Sequence, residues 1–385
     1  MHKRHVIFYT LLRPVVGAYL FLRFGYRYKK AKNLPDTYIV LSNHVTDYDP
    51  LFVGVSFPKH MYFVASEHIS RWKVAYALIQ YFLKPIIRPK GTTAAATVME
   101  MIKTLRGGTN VCLYPEGARS WDGVTAPILA STGKMIKSAK CGVVTFKIQG
   151  GYFVSPNWSF GNSRKGPIRG DVVNVYTAEQ IAAMSVAEIN EAITTDLHED
   201  AYARQAALPV KYKGKNLAQA LENLISHCPG CRGLDSLSSS GNQVTCSKCG
   251  QTFTYDEYGM LHGIPYKTVK ELFTWQKQQV EEDAAADITY TSAGGKLLTV
   301  ANQVEELVSE GVVSLNREAI SCCETVIPLK DITDMAMHGR RTLVFSTAKE
   351  YYELVPSEEV NVLKFHMLYQ LYKNGKIDHY NGRTR

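Results

Sequence analysis

The segment Thr37-Tyr-Ile-Val-Leu-Ser42, followed directly by Asn43 and His44, decides the fold of the first half of the chain. A short and almost entirely apolar segment of this kind is typical of a buried strand. Similar segments follow at Met61–Ala65, Asn110–Tyr114 and Val143–Ile148. Between them, apolar residues have helical spacing at Ile69–Leu83, Thr92–Leu105 and Ala130–Ser138. This alternation of strands and helices predicts a layered α/β domain over residues 33–215.

The positive charge of the chain is concentrated at its N-terminus. The 385 residues carry a formal net charge of +9. Residues 1–32 contain eight Lys or Arg and no acidic residue, so the rest of the chain carries only +1. Because the basicity is confined to one segment, we expect no nucleic-acid partner.

The same N-terminal segment is apolar from Val6 to Leu22, apart from Arg13 and Pro14. A bilayer-spanning helix needs about 20 apolar residues, and a central Arg costs roughly 2.5–3.5 kcal/mol. We therefore expect residues 1–32 to form a helix lying in the membrane interface, with Arg13 and Arg23 snorkelling and Arg27–Lys32 facing anionic headgroups. The protein would then be peripheral or monotopic on the cytoplasmic face. A buried core helix is the alternative, and a secretory signal is disfavoured because no small-residue cleavage site follows.

Four of the eight cysteines form two C-x-x-C pairs. The pairs are Cys228 with Cys231 and Cys246 with Cys249, separated by fourteen residues. Two such pairs at this separation predict a zinc ribbon over residues 216–264, in which four thiolates hold a structural Zn²⁺. Two disulfides and a rubredoxin-like iron site are the alternatives. The remaining cysteines lie in apolar or strand-like contexts and are interpreted as structural: Cys112, Cys141, Cys322 and Cys323.

The segments around and after the cysteine module differ in character. Leu217–Ile225 is predicted to be helical, and residues 265–286 are predicted to be a polar connecting helix. Residues 287–385 contain short β-rich segments, at Lys296–Val300, Gly311–Leu315, Ala319–Cys323, Thr325–Leu329, Thr342–Ser346 and Tyr351–Val355. This succession of strands closed by one helix resembles the pleckstrin-homology-like superfold, which hosts many functions.

The terminal helix is predicted to begin at Ser357. Glu358 and Glu359 would then lie in its first turn, where negative charge is favourable. The apolar residues Val360, Leu363, Met367 and Leu368 would share one face of the helix.

His44 and Asp49 form the first candidate site. Five residues rotate a helix by about 500°, which would leave the two side chains roughly 140° apart on one helix. They can meet only if His44 lies in the turn after the strand and Asp49 lies in the first helical turn behind it. The carboxylate would then orient the imidazole as a general base. A hydrogen-bonded structural histidine is the alternative.

Two further segments present charged side chains after short apolar runs. Val111-Cys-Leu-Tyr-Pro-Glu116-Gly117-Ala-Arg119-Ser120 is a strand followed by a turn, and Arg119 has the rigid fork suited to phosphate. Arg88 lies in the second segment, Lys84-Pro-Ile-Ile-Arg88-Pro-Lys90-Gly91-Thr92. The alternative for Glu116 and Arg119 is a surface ion pair, and the alternative for Arg88 is an ordinary solvated charge.

Together these segments resemble the glycerolipid acyltransferase family typified by lysophosphatidate acyltransferases, over residues 37–200. The family's Asn-His-x4-Asp block is present as Asn43, His44 and Asp49. Its Pro-Glu-Gly-Thr-Arg-Ser block is present at residues 115–120, with Ala118 in place of Thr. The residues before Arg88 depart from the family pattern, and the later apolar block at Val144–Ile148 lacks the family's prolines.

The resemblance implies a membrane-associated O-acyltransferase. His44 and Asp49 would be catalytic, and the acyl group would pass from an acyl-CoA or acyl-carrier-protein thioester to a lysophospholipid, with lysophosphatidate as the expected acceptor. The implied substrate-binding residues are Asn43, Arg88, Glu116, Gly117, Arg119 and Ser120. The alternatives are another lysophospholipid or glycolipid acceptor, or a non-catalytic lipid-binding scaffold whose C-terminal domain binds a protein partner.

Overall fold

The structure is a computed structural model that describes residues 3–67, 69, 73–88, 95–159, 161–301, 304–357 and 360–377. The chain divides into two compact units. The first comprises Met1–Pro156 and Ser163–Lys213, and the second comprises Asn157–Asn162 and Gly214–Arg385. The first is mixed α/β, as the sequence predicts, whereas the second is rich in β-strands.

A seven-stranded sheet is the centre of the first unit. Its strands are β1 (Arg27–Tyr28), β2 (Tyr38–Ser42), β3 (Met61–Ser66), β4 (Ile86–Arg88), β5 (Asn110–Leu113), β6 (Gly142–Gln149) and β7 (Arg169–Tyr176). They lie in the order β1-β7-β6-β2-β5-β3-β4. Strands β6, β2, β5, β3 and β4 are parallel, and β7 is antiparallel to β6.

Nine helices are described in this unit. They are α1 (Lys3–Phe24), α2 (Asp49–Ser56), α3 (Lys73–Phe82), α4 (Ala95–Arg106), α5 (Ser131–Ala139), α6 (Gly151–Val154), α7 (Ala178–Ala183), α8 (Val186–Leu197) and α9 (Ala201–Ala207). Strand β7 and helices α7–α9 are not among the elements that the sequence patterns predict. Helices α7 and α8 begin where Thr177 and Ser185 each form a capping box with a Gln or Glu three residues later.

Strand β2 is buried on both faces. Ile39 and Leu41 pack into a core with residues of α4, α5 and α8, including Met101, Ile136 and Ile193. Each buried side chain of this size stabilises the fold by about 1.5–3 kcal/mol. Because side chains alternate along a strand, Val40, which lies between Ile39 and Leu41, points to the other face. Burial on both faces explains why this strand is almost entirely apolar.

The connections of β2 and β5 leave these neighbouring strands in opposite directions. The chain passes from β2 to β3 on one side of the pair, and from β5 to β6 on the other side. A crevice forms at the carboxyl ends of parallel strands where the connections diverge in this way, and ligands of α/β sheets bind there. His44 follows β2 and Glu116 follows β5, so both lie at this crevice.

Helix α1 packs on α2 along one face and leaves another face exposed. The Tyr9 hydroxyl donates to the Gly54 and Phe57 carbonyl oxygens, and Phe24 contacts Phe52. The Arg13 guanidinium donates to the Phe57 carbonyl, and Arg23 donates to Ser163. These arginines therefore bond to the protein, which differs from the snorkelling expected from the sequence. By length and composition, α1 is long and apolar enough to cross a membrane.

Among its described residues, the second unit contains three antiparallel sheets and two α-helices. The first sheet consists of β8 (Leu237–Ser240), β9 (Gln243–Cys246), β10 (Thr252–Tyr255) and β11 (Leu261–His262). The second consists of β12 (Tyr290–Ser292), β15 (Val313–Leu315), β16 (Ala319–Cys322) and β17 (Thr325–Pro328). The third consists of β13 (Gly295–Ala301), β14 (Val304–Glu310), β18 (Asp334–His338), β19 (Thr342–Ser346) and β20 (Tyr351–Pro356). The helices are α10 (Val269–Ala285) and α11 (Val362–Asn374).

Two predicted helices of this unit differ from the structure. Leu217–Ile225 is not an α-helix, because Ala220 has a φ of +68° and only a 3-10 turn forms at Leu221–Asn223. The apolar residues of that segment are buried, which explains their helix-like spacing. The terminal helix begins at Val362 instead of Ser357, because the Asn361 side chain caps it by accepting from the Lys364 N–H. Of the predicted apolar face, Leu363, Met367 and Leu368 are buried in α11, Val360 precedes it, and Glu358 and Glu359 lie outside the described residues.

Candidate active site

His44 and Asp49 are in direct contact at the carboxyl end of β2. Asp49 is the first residue of α2, and its Oδ2 lies 2.7 Å from His44 Nδ1. The Asp49 side chain is fully buried, whereas that of His44 is 23% exposed. The placement of His44 in the turn and Asp49 in the following helix therefore brings the pair together.

Asp49 is held as a hydrogen-bond acceptor on both carboxyl oxygens. Oδ2 also accepts from the Val45 N–H at 2.7 Å and the Thr46 N–H at 3.0 Å, and Oδ1 accepts from the Thr46 hydroxyl at 2.7 Å. Since the carboxylate faces only donors here, His44 Nδ1 carries the proton that it donates to Asp49. The imidazole is thereby fixed in the tautomer whose Nε2 has a free lone pair to accept a proton.

The His44 ring and backbone are held by the segment after β5. The ring stacks on Tyr114, with centroids 4.3 Å apart and planes 21° apart. The His44 N–H donates to Glu116 Oε1 at 2.6 Å, and the Ala126 N–H donates to Glu116 Oε2 at 2.7 Å. Glu116 therefore ties the turn after β2 to the loop that follows β5.

Glu116 is almost completely buried, with 1% of its surface exposed. Burial raises its pKa to about 8, against the opposing effect of the two N–H donors. The folded protein thus holds a proton on Glu116 that the unfolded chain releases above about pH 4.5. The corresponding stabilisation is full below about pH 4.5 and is lost as the pH rises through about 8.

Three more of the predicted substrate-binding residues have structural contacts in the protein. The amide of fully buried Asn43 bonds both ways with the Ile148 backbone, at 2.9 and 2.7 Å. The Ser120 N–H donates to the His44 carbonyl at 3.0 Å, and its hydroxyl accepts from the Gly123 N–H at 2.9 Å. Gly117 has a φ of +75°, which a turn at this position requires. These residues, like Glu116, organise the loops around His44. The burial of Asn43 and Ser120 leaves little of their side-chain surface for a substrate, whereas Gly117 is exposed.

Arg119 and Arg88 are the two predicted cationic ligands. Arg119 is 13% exposed, and its Nη1 lies 2.8 Å from Oδ2 of Asp47, which is 63% exposed. Arg88 is half-buried at the carboxyl end of β4. Strand β4 is separated from β2 by β3 and β5, so Arg88 lies at the same edge of the sheet, roughly 14 Å from β2 at about 4.8 Å per strand.

Three contributors to this site are not indicated as such by the sequence. Tyr114 stacks on the His44 ring, Thr46 bonds to Asp49, and Asp47 pairs with Arg119. The Thr46 hydroxyl also accepts from the Tyr48 N–H at 2.9 Å, so Thr46 holds the turn before α2, although the N-cap residue of that helix is Tyr48. The contacts of Tyr114 and Asp47 join segments about 70 residues apart, and no local pattern announces them.

The four cysteines of the second unit also converge. All four Sγ atoms lie within 4.8 Å of one another, and both the Cys228–Cys249 and Cys231–Cys246 sulfur pairs are 3.7 Å apart. Zn–S bonds of about 2.3 Å in a tetrahedron give sulfur separations of about 3.8 Å, so the donor set fits zinc.

The backbone around the two pairs repeats the same turn. The Arg232 N–H donates to the Cys228 carbonyl at 2.9 Å, and the Gly250 N–H donates to the Cys246 carbonyl at 3.0 Å. Arg232 and Gly250 both have positive φ angles, of 59° and 73°. Each pair thus lies on its own turn, and the two turns face each other across the cluster.

Comparisons with known proteins found a family match within the first unit. Residues 26–149, which run from the residue before β1 to the end of β6, match the sequence model of the Acyltransferase family. These residues therefore form an acyltransferase-type α/β domain, and the β-rich second unit lies beyond the match. Among solved structures, the chain is similar to the 1-acyl-sn-glycerophosphate (LPA) acyltransferase PlsC from Thermotoga maritima, with 18% identity, a TM-score of 0.44, and coverage of 52% of this chain and 80% of that one. No curated protein matches the chain.

Proposed function

We propose that the protein transfers a fatty acyl group from an acyl thioester to the hydroxyl of a lysophospholipid, with His44 as the general base. The observation that carries this proposal is the 2.7 Å contact between His44 Nδ1 and a carboxylate whose other partners are all donors. This arrangement sets the tautomer of a partly exposed imidazole at the crevice of an acyltransferase-type domain.

In the proposed reaction, His44 Nε2 takes the proton from the acceptor hydroxyl as its oxygen attacks the thioester carbonyl. The ester C–O bond forms and the C–S bond breaks, and the imidazolium returns the proton to the leaving thiolate. Asp49 stabilises the imidazolium through the Nδ1–H bond, and Tyr114 restricts the ring plane. The thiol is the group carried by coenzyme A or an acyl carrier protein.

Arg119 is proposed to bind the acceptor phosphate, with Arg88 assisting from the same edge of the sheet. The Arg119 guanidinium is already paired with Asp47, so a phosphate has to compete with that carboxylate. A phosphate offers the guanidinium fork more acceptor oxygens and more negative charge than the single Asp47 carboxylate oxygen that Arg119 contacts. The acceptor phosphate is therefore proposed to displace Asp47 from Arg119 on binding. Lysophosphatidate, whose phosphate is its whole headgroup, is the proposed acceptor.

Helix α1 is proposed to hold the protein on the cytoplasmic face of a membrane. Five of its exposed apolar side chains share one face, and exposed Phe21 lies on the neighbouring face; the five are Ile7, Leu11, Val15, Tyr19 and Leu22. Phe8 of α1 stacks on Phe82 of α3, whose exposed residues Leu78 and Tyr81 enlarge the apolar surface. Because these side chains would bury themselves in the headgroup boundary, the helix is proposed to lie in the interface.

The second unit is proposed to contain a zinc ribbon followed by a pleckstrin-homology-like module at residues 287–385, which binds a protein partner. Cys228, Cys231, Cys246 and Cys249 would hold one Zn²⁺ in a closed site, since four thiolates leave no coordination position for water. The strands β12–β20 and the helix α11 that follows them support the second assignment.

The proposed activity is tested with a panel of lysolipid acceptors, each offered with acyl-CoA and with acyl-carrier protein, and analysed by mass spectrometry of the products. Lysophosphatidate is expected to give phosphatidate, and the His44→Ala variant is expected to lose about 10²–10⁴-fold in rate. Turnover of another lysophospholipid or a glycolipid alone would change the acceptor. Product formation that persists undiminished in His44→Ala would contradict the mechanism, and no product with any acceptor would favour the scaffold.

A further inference from the structure

Helix α1 and the segment after it line an open cleft of about 710 Å³. On the helix side, the lining includes Arg13, Gly17 and Phe21, and on the other side it includes Tyr26, Arg27 and Lys30. A cleft of this volume is large enough for a lipid headgroup. His44 and the residues around it do not line it.

Three cations converge on this cleft, and no acidic side chain is among the described residues that line it. Arg13 is anchored because it donates to the Phe57 carbonyl at 2.8 Å. The Arg27 guanidinium lies 5.8 Å from the centroid of the Phe21 ring. Arg13 is thus held at the cleft by a hydrogen bond and Arg27 by a ring contact, while Lys30 is exposed beside them. Such a group of cations attracts a phosphate group, and arginine forks bind phosphate with defined geometry.

The position of the cleft on α1 indicates that this phosphate belongs to a lipid. A helix rotates by about 100° per residue, so Thr10, Arg13, Gly17 and Phe21 share one face. The next face around the helix carries Leu11, Val15 and Leu22, whose side chains are 68%, 64% and 70% exposed. A headgroup in the cleft would therefore have an apolar surface beside it for its acyl chains.

We propose that this cleft binds the phosphate-bearing headgroup of an anionic glycerophospholipid in the membrane, at a site separate from the acyl acceptor. The proposal rests on the membrane association proposed above and not on acyl transfer. Diffuse attraction between basic residues and an anionic surface needs no cleft, so the experiment must separate the site from that background.

The first test compares two pairs of charge-removing substitutions in the full chain. Arg27→Gln with Lys30→Gln removes two cations from the cleft. Lys3→Gln with Lys32→Gln removes two exposed cations of the same N-terminal segment that do not line it. Binding is measured by flotation with phosphatidylcholine vesicles, with and without 20% phosphatidylglycerol. Both variants lose part of the diffuse attraction to anionic vesicles. The affinity of the cleft variant for these vesicles is expected to be about tenfold lower than that of the control variant.

The second test blocks the cleft without changing charge. A Cβ built at Gly17 meets no atom within 4 Å, so Gly17→Ala fits the helix and Gly17→Leu extends into the cleft. Gly17→Leu is expected to lower the affinity for phosphatidylglycerol vesicles about tenfold and to leave binding to phosphatidylcholine unchanged, while Gly17→Ala binds like wild type. Acyl transfer in detergent micelles should be unchanged in all these variants, which separates this site from the catalytic proposal.

Equal losses in the two double variants, with wild-type binding by Gly17→Leu, would overturn the site in favour of diffuse electrostatics. If Gly17→Leu does not fold, the double variants decide. Inorganic phosphate is titrated into the protein in neutral micelles as a further arm. If the Arg27→Gln/Lys30→Gln variant no longer binds inorganic phosphate but still binds vesicles like wild type, the cleft is assigned to soluble phosphate instead. Wild-type protein that binds neither vesicle would remove both the lipid site and the membrane association.

Discussion

Replacing Asp49 by Asn tests the proposed catalytic role of the His44–Asp49 pair, because it removes one charge and nearly preserves the shape of the side chain. The carboxylate accepts four hydrogen bonds: three at Oδ2, from His44, Val45 and Thr46, and one at Oδ1, from the Thr46 hydroxyl. An amide NH₂ at the Oδ2 position would face three donors, and leaving the two backbone N–H groups unsatisfied would cost about 1–3 kcal/mol each. The asparagine is therefore expected to place its oxygen there and its NH₂ towards the Thr46 hydroxyl, which can accept. The fold should survive.

The magnitude of the loss follows from the charge that is removed. The hydrogen bond from His44 changes from a charge-assisted bond to a neutral one just when the imidazolium forms. Bonds to charged groups contribute about 1.5–3 kcal/mol and neutral bonds about 0.5–1.5 kcal/mol, so the difference of about 1–1.5 kcal/mol should lower kcat by about 5- to 13-fold. This is smaller than the loss of about 10²–10⁴-fold expected for His44→Ala, because the base itself remains.

Asp47→Asn is the matched control, since it makes the same chemical change two residues away. Asp47 is 63% exposed and contacts Arg119 instead of His44. The substitution leaves the contact between His44 and Asp49 intact, so kcat should be nearly unchanged. Acceptor KM should fall by up to about tenfold, because phosphate no longer competes with the Asp47 carboxylate for Arg119.

The assay is steady-state acyl transfer with saturating donor, for the single variants and for His44→Ala combined with Asp49→Asn. Because Asp49 acts through His44, its substitution should have little further effect once His44 is absent. Asp47→Asn losing more kcat than Asp49→Asn would show that the wrong carboxylate has been named. Additive losses in the double variant would show that Asp49 does not act through the imidazole.

Four other outcomes are expected. Arg119→Ala should raise acceptor KM by about 10- to 150-fold with the donor KM unchanged, and a shift confined to the donor would contradict the phosphate assignment. In the wild-type protein, the Ala126 amide should become less protected against hydrogen exchange as the pH rises from about 4.5 to 8. Glu116→Gln should remove this pH dependence of protection, because it removes the titrating group. The same pH dependence in both proteins would contradict the raised pKa of Glu116. Deletion of residues 1–30 should release the protein from anionic vesicles, which flotation measures. Chelation of zinc should unfold residues 226–262, as followed by hydrogen exchange, and should leave acyl transfer unchanged. If elemental analysis finds no zinc in protein purified without a chelator, the zinc site is wrong.

Local patterns in the sequence identified the elements that depend on local physics. Strands such as Tyr38–Ser42 are visible because burial on both faces demands apolar residues throughout. The helix Val269–Ala285 is visible because Thr268 caps it and its polar and apolar residues alternate with helical period. The two cysteine pairs are visible because each chelating turn is only four residues long. Helix starts were less predictable, since the capping role of Asn361 is decided by its backbone conformation.

The sequence by itself determined which residue types are present for acyl-transfer chemistry and that His44 and Asp49 can meet across a strand-to-helix turn. Only the tertiary structure decided what surrounds them. Three contacts join the turns after β2 and β5: the hydrogen bond from His44 to buried Glu116, the stacking of Tyr114 on His44, and the pairing of Asp47 with Arg119. The two strands are neighbours in the sheet, but the joined residues are about 70 residues apart in the chain. Strand order creates such contacts, and strand order is set by the packing of the whole unit and not by any short segment.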